Sequence, residues 1–469
     1  MIFSSVFFIF VFLPVTLLVY YLVPGVLKNP VLLLVSLIFY AWGEPVYVFL
    51  MIFSILYNFV AGVEIDYHRS QGNEKRAKLA FWMSLGVNLG ILMFFKYYGF
   101  LIDSVNGILP VEIPYTPLPL PIGISFYTFQ TLSYIIDVYK GRVSVQKNII
   151  SFGVYISMFP QLIAGPIVQY TDIEEQLGRR SMNASKFGDG VAWFLRGLGK
   201  KVLLANNIGM AFDGIAALPL GETSVVTAWL GCAAYTFQIY FDFSGYSDMA
   251  VGLGKMLGFE FVQNFDYPYT SKSVTEFWRR WHISLGTWFR EYVYIPMGGN
   301  RVSTAKAIRN IFVVWMLTGL WHGAAWNFMF WGIYYGVILL LEKYVLKGFL
   351  EKLPGFVKHV YTMVLVMIGW VLFSAPDMGS AAARVGRMLG IGGGFVDSTA
   401  LYYLKSYLVL LVISILCSGP FPYRWFSRFT VMEKKEHIKV AAVFYGAVFL
   451  LSVAYLVNAT YNPFLYFRF

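Results

Sequence analysis

Apolar runs separated by short charged loops fill almost the whole chain, and the longest lies between Arg309 and Glu342 with no Asp, Glu, Lys or Arg inside it. As one helix, at ~1.5 Å per residue, that run would exceed the roughly 30 Å hydrocarbon thickness of a bilayer. It must therefore bend. Gly319 and Gly323 flank a lone imidazole, His322, within TGLWHGAAWN (Thr318–Asn327). Neither glycine has the Cβ that keeps backbone regular, so the spacing predicts a helix break or a helix-to-helix turn there. An ionisable group on irregular backbone at membrane depth is a functional candidate, the bland alternative being a buried histidine donating one hydrogen bond to a carbonyl. Desolvation at that depth favours the neutral ring, which can take a proton.

About eleven to thirteen segments are long and apolar enough to span or re-enter a bilayer, several of them as half-spans. The first covers residues 2–23 and precedes any charge, so it lacks the positive flank of a cleavable signal peptide and is expected to remain as a transmembrane helix. Residues 31–42, 46–63, 79–102 and about 120–136 follow, and spans near 359–373, 401–417 and 438–457 close the chain. Loop charges set one orientation. Arg69, Lys75, Arg76 and Lys78 place the loop from Glu64 to Lys78 in the cytosol, the acidic, proline-rich loop from Asp103 to Pro119 falls outside, and Lys140, Arg142 and Lys147 return inside. Residues 149–170 hold Pro160, Gly165 and Pro166, too many breakers for one helix, and predict a re-entrant pair. With neither repeats nor low-complexity linkers, residues 1–469 form one membrane-embedded domain in this reading.

Composition agrees: 58% hydrophobic and 13% charged residues, with a mean hydropathy of +0.63, lie outside the range of soluble domains. The formal charge of +11 does not point to nucleic acid, because Lys and Arg sit in short loops between apolar spans. Cys232 and Cys417 have apolar neighbours and no metal-type spacing, so both are expected to be free, buried thiols. Walker A and HExxH patterns are absent, and no metal site is expected.

Several polar residues interrupt apolar sequence. Asp242 and Asp248, with Ser244 and Ser247 between them, read as caps of a broken helix that take backbone N–H groups or pair with an Arg; no Gly-x-Ser-x-Gly elbow supports a serine hydrolase. Arg196, Lys200 and Lys201 make residues 191–217 an interfacial or half-buried helix whose long side chains snorkel. Residues 264–310 carry seven Lys or Arg against three acids and are placed in the cytosol. There, aromatics interleave with Arg279, Arg280, Arg290 and Arg301 around His282, a pattern that suits either a phosphate-bearing ligand or an amphipathic belt on anionic lipid. The tail FLYFRF is too aromatic for free coil.

WRRWHISLGTW, YIPMGGNR and TGLWHGAAWNF, in that order, together with MIFSSVFFIFVFLP, NPVLLLVSLIFYAWGEP and ISFYTFQTLSYIIDVYKG, resemble the membrane-bound O-acyltransferase superfamily over nearly the whole chain, and its alginate O-acetylation branch most. The resemblance implies an all-α polytopic fold, a ring of about eleven transmembrane helices with re-entrant and interfacial helices around a central tunnel. It also implies a multi-pass protein of the bacterial plasma membrane that takes acetyl groups from cytosolic acetyl-CoA, a substrate rather than a bound cofactor, and passes them across the membrane to an extracytoplasmic polysaccharide through a separate secreted or anchored partner. His322 matches the superfamily's histidine and His282 its second polar position. In that chemistry His322 is the base, His282 polarises the thioester or orients His322, and Trp321 or Asn327 meets the oxyanion. Arg279, Arg280 and Arg290 pair the donor's phosphates. Two alternatives remain open at this point: D-alanyl transfer to teichoic acid from a carrier-protein thioester, and a polysaccharide or small-molecule transporter, although no paired half-repeats are found.

Overall fold

Helix is the only regular secondary structure among the described residues of the computed structural model, which are 1–109, 112–430, 435–458, 461–462 and 465; Phe265 and Trp281 add an isolated bridge. The chain is the all-α polytopic protein its sequence predicts. Six helices among these residues are long and apolar enough to cross a membrane: Gly25–Gly43, Val48–Ser70, Glu74–Asn106, Gly355–Ser374, Ser398–Cys417 and Ile438–Asn458. The other apolar segments anticipated as spans are helical too, but shorter, broken, or charged at one end. Residues 149–170 break as their prolines and glycine predict, with helix Ile149–Ser157, a non-helical Met158, a single turn Phe159–Leu162, a turn to Gly165 and then irregular backbone, buried as far as the half-buried Gln169.

The chain divides into two compact units, the first comprising Met1–Phe194 and Ser247–Gln263. In it Val48–Ser70 and Glu74–Leu92 pair through a reciprocal amide contact. Asn58 Nδ2 donates to Asn88 Oδ1 at 3.0 Å and Asn88 Nδ2 to Asn58 Oδ1 at 2.7 Å, while Thr131 Oγ1 adds a bond of 3.2 Å from the helix Ile124–Lys140. Interhelical amide bonds of this kind hold helices together where apolar side chains gain nothing from leaving lipid. At the other end Tyr20 Oη donates to Leu257 O at 2.7 Å and accepts from Arg180 Nε at 2.8 Å.

The second unit comprises Leu195–Tyr246 and Asn264–Phe469. Helix Val225–Met256, which starts in this unit and ends in the first, runs on unbroken past Asp242 and Asp248, against the expected break. Asp242 does not cap this helix. Its Oδ1 meets Lys201 Nζ at 2.5 Å, both side chains are 2% exposed, and Oδ2 accepts from Leu465 N at 2.9 Å. Lys201 therefore does not snorkel to an interface; it also donates to Asn206 Oδ1 at 2.9 Å. A counter-charge satisfies the carboxylate where a helix terminus was expected to. Apart from the buried Leu465, FLYFRF lies outside the described residues. Both cysteines are free, Cys232 buried and Cys417 only half-buried.

The apolar run splits into Thr304–His322 and Trp326–Tyr344, an antiparallel hairpin packed at glycines. Gly319 is not a breaker. It lies inside the first helix, where an added Cβ would stand 3.4 Å from Gly332 Cα and would collide with Phe328 O; a Cβ on Gly332 would collide with Trp315 O.

Two outcomes test this packing by thermal unfolding of purified protein. Lys201→Met and Asp242→Asn each strand a buried charge and lose roughly 3–5 kcal/mol, whereas the double Lys201→Met/Asp242→Leu recovers most of it. Gly332→Ala costs about 1–3 kcal/mol by overpacking. Gly86→Ala, in an exposed helical position with nothing within 4 Å, has no such collision and is neutral or stabilising.

Candidate active site

His322 is the last residue of its helix. Gly323 follows in extended conformation, φ −167° and ψ 151°, with its amide bonded to Gly319 O at 3.3 Å, and a new helix begins at Trp326. The predicted break thus falls at Gly323 alone. A side chain on Gly323 would run into the Phe328 ring, so the turn is tight as well as irregular. His322 is 4% exposed and stands edge-on to three rings, Trp321 at 5.0 Å, Trp331 at 5.1 Å and Phe373 at 5.3 Å.

His282 comes from the polar segment by a different route. Ser273 Oγ caps the short helix Val274–Arg280 by accepting from Glu276 N at 3.0 Å. Glu342, buried on Trp326–Tyr344, completes that end by accepting from Val274 N at 2.7 Å, Thr275 N at 2.9 Å and Thr275 Oγ1 at 2.6 Å. The helix ends in Trp281, and His282 then adopts φ 48°, ψ 55°, a left-handed conformation that a residue with a Cβ rarely holds unaided. Asn264 is what holds it. Its O accepts from Ile283 N at 3.0 Å, and its Oδ1 accepts from Ser284 N at 3.2 Å and Ser284 Oγ at 3.0 Å. With Oδ1 fixed as acceptor, the 3.2 Å contact to His282 Nδ1 puts the ring proton on Nδ1 and the lone pair on Nε2. Burial pushes His282 down to about 3, which keeps it neutral.

Trp321 joins the two histidines, its ring centroid 5.7 Å from that of His282 and 5.0 Å from that of His322. Around them Trp278, Trp281, Trp315, Trp331, Tyr335 and Trp370 form a continuous aromatic wall, with Trp278 at 4.8 Å from both Trp315 and Tyr335 and Trp281 at 4.8 Å from Trp370. The indole N–H of Trp331 is buried without an acceptor among the described residues.

Two cavities approach this group. The larger, about 900 Å³, is lined by His282, Trp281 and Trp278, by the cations Lys272, Arg279, Arg290, Lys343, Lys347 and Lys358, and by only three acids, Glu276, Glu342 and Glu351. Its charge places it on the cytosolic side. The smaller, about 240 Å³, is lined by Phe328, Phe373, Asn327, Gln238 and Asp213 among others. Of the sequence candidates, Arg279 and Arg290 line the larger cavity beside His282. Arg280 does not: it turns onto Glu276, one helical turn back, at 2.8 Å and approaches Asp266 at 3.9 Å. Asn327 reaches the smaller cavity, but its Nδ2 donates to Ala375 O at 3.1 Å. Nothing in the sequence marks Trp331, Phe373 or Asn264 out from other apolar or polar positions. Glu342 was visible only as the acid that ends the apolar run. Among the described residues no three His, Cys, Asp or Glu side chains converge as metal ligands.

The model of MBOAT, the membrane-bound O-acyltransferase family, matches residues 140–378. "Probable alginate O-acetylase AlgI" of Pseudomonas putida is 40% identical over 489 residues, covering 100% of both chains. The peptidoglycan O-acetyltransferase of Helicobacter pylori is 34% identical over 84% of this chain and 80% of its own. The teichoic acid D-alanyltransferase of Bacillus subtilis is 29% identical over 46% of this chain and 58% of its own. Similarity over the full length, the all-helical membrane architecture and the family match lead to one conclusion: the chain belongs to the membrane-bound O-acyltransferase family and is a multi-pass membrane O-acyltransferase.

Proposed function

We propose that the protein moves acetyl groups from cytosolic acetyl-CoA to a hydroxyl on an extracytoplasmic polysaccharide, through a separate extracytoplasmic partner protein. The observation that supports this most is placement. His282 lines the cationic cavity, Trp321 is in ring contact with both His282 and His322, and Phe373, also in ring contact with His322, lines the second cavity. The larger cavity suits a polyanionic donor: Arg279, Lys347 and their neighbours supply charge for phosphates, and Trp278 and Trp281 supply apolar walls for the thioester arm.

In this reading His322 accepts the proton of the attacking hydroxyl as oxygen adds to the thioester carbonyl. The C–S bond then breaks, the new C–O ester stays with the acceptor, and the proton passes to the departing CoA thiolate. Negative charge gathers on the carbonyl oxygen meanwhile. Donors for it are Trp321 and Trp331, whose indoles border His322, ahead of Asn327, one of whose two amide N–H groups is held by Ala375 O. His282, held by Asn264 with its lone pair on Nε2, has no N–H to give the carbonyl and positions the neighbouring groups of the larger cavity instead. Arg279 and Arg290 keep their proposed phosphate-pairing role, and Arg280 braces its own helix instead.

D-alanyl transfer is the second reading within the family. It is favoured less because the D-alanyltransferase relative matches under half of this chain, while relatives named for O-acetylation match most or all of it. A transporter gives way to membership of the acyltransferase family.

Labelled acetyl-CoA supplied to the purified protein in vesicles with an acceptor glycan and the partner protein tests the proposal. His322→Ala lowers acetyl transfer by about 10²- to 10⁴-fold without altering insertion or unfolding temperature. Arg279→Ala with Lys347→Ala raises the KM for acetyl-CoA and weakens its salt dependence while kcat changes little. Unchanged transfer by His322→Ala would end the assignment.

A further inference from the structure

We propose that the second unit holds one phospholipid of the extracytoplasmic leaflet, its acyl chain seated in a third cavity and its phosphate on Arg384. This binding site does not depend on the catalytic reading above. The cavity is about 430 Å³, within the roughly 300–1,000 Å³ of small-ligand pockets. Phe212, Ile215, Ala228, Val371 and Met388 give it an apolar shaft, and Arg384 is the one charged side chain among its described lining residues. Arg384 spends one N–H on Ala216 O at 3.3 Å, which leaves most of its donors for an anion. An apolar shaft with a single cation matches an acyl chain carrying a phosphate.

The surroundings fix where this lipid comes from. Arg384 lies on the amphipathic helix Met378–Met388, and the loop after that helix presents Leu389, Ile391 and Phe395 at 69%, 70% and 73% exposure. The loop is firmly held, by Val225 N to Gly394 O at 3.0 Å, Val226 N to Phe395 O at 3.1 Å, and Asp397 accepting from Ser224 N at 2.8 Å and Thr227 Oγ1 at 2.7 Å. An ordered loop that exposes large apolar side chains belongs at a lipid boundary, and the span Ser398–Cys417, whose apolar window is only 11% buried, starts directly after it. That span ends beside Arg424 and Arg428, which sets its far end in the cytosol and the loop in the opposite leaflet.

The site has a consequence for the smaller cavity near His322. Phe212, Tyr235 and Ser374 line both spaces, and the Phe212 and Tyr235 rings stand 4.7 Å apart as the wall between them. A chain in the third cavity props that wall.

Full-length protein in vesicles containing phosphatidylglycerol with a diazirine midway along one acyl chain provides the test, read by mass spectrometry of labelled peptides. Label is expected on residues 212–235 and 371–388, competed by unlabelled phosphatidylglycerol. Ala383→Trp, at an exposed position on the cavity rim, removes that label and leaves labelling of residues 398–417 unchanged. Arg384→Gln keeps the label but raises the competing concentration about ten-fold, as loss of one charge-assisted phosphate contact should. Label confined to residues 398–417, full labelling of Ala383→Trp, or a cavity occupied by a co-purifying protein segment in place of lipid would each overturn the proposal.

Discussion

In an apolar surrounding, a backbone that stops being helical must find partners for its freed N–H and C=O groups within the protein itself. The arrangement of the second unit follows from that constraint. Three helix ends in the segments that carry the two histidines are each satisfied internally: Gly323 closes back on Gly319, Glu342 and Ser273 cap Val274–Arg280, and Asn264 serves the backbone and side chains from His282 to Ser284. The capping residues sit on different segments, so the polar chain that carries His282 is bolted to the hairpin that carries His322. Satisfying the backbone and positioning the imidazoles are one structural act.

The aromatic wall adds the second ingredient. Trp321, Trp331 and Phe373 stand edge-on to His322, and Trp278, Trp281 and Trp370 extend the ring cluster behind them, a large buried apolar area. In such a site hydrogen-bond donors aimed at a developing oxyanion act in low dielectric. The same low dielectric makes unpaired charge costly. Cations accordingly gather at the larger cavity, and the deeply buried Lys201 lies directly against Asp242.

How much of this could be read from the sequence depended on whether the signal was local. The break beside His322 was legible because no charge competes in the run and length alone forbids a single span. Gly319 was misassigned because glycine serves two ends, bending a chain and letting helices approach, and only the facing Gly332 decides between them. Asp242 was taken for a cap because its counter-ion, Lys201, lies on another helix, and each was interpreted without the other. Arg279 and Arg280 look alike in sequence, yet neighbouring positions point about 100° apart on a helix, so one faces the cavity and the other reaches Glu276 a turn away. Of the eleven to thirteen segments that the sequence marks as spanning or re-entering, several as half-spans, six are helices long and apolar enough to cross among the described residues, because apolar content does not report where a segment is broken or how short its helix is.

The central claim is that one imidazole serves a donor on one side of the membrane and an acceptor on the other. Sealed inside-out vesicles test it most directly, with labelled acetyl-CoA outside, so that only the cytosolic face meets the donor, and the acceptor glycan with its partner protein enclosed. The account predicts label on the enclosed glycan and none when His322 is replaced by Ala. Label appearing only on acceptors that share the donor's side, with the enclosed glycan unlabelled, would contradict it.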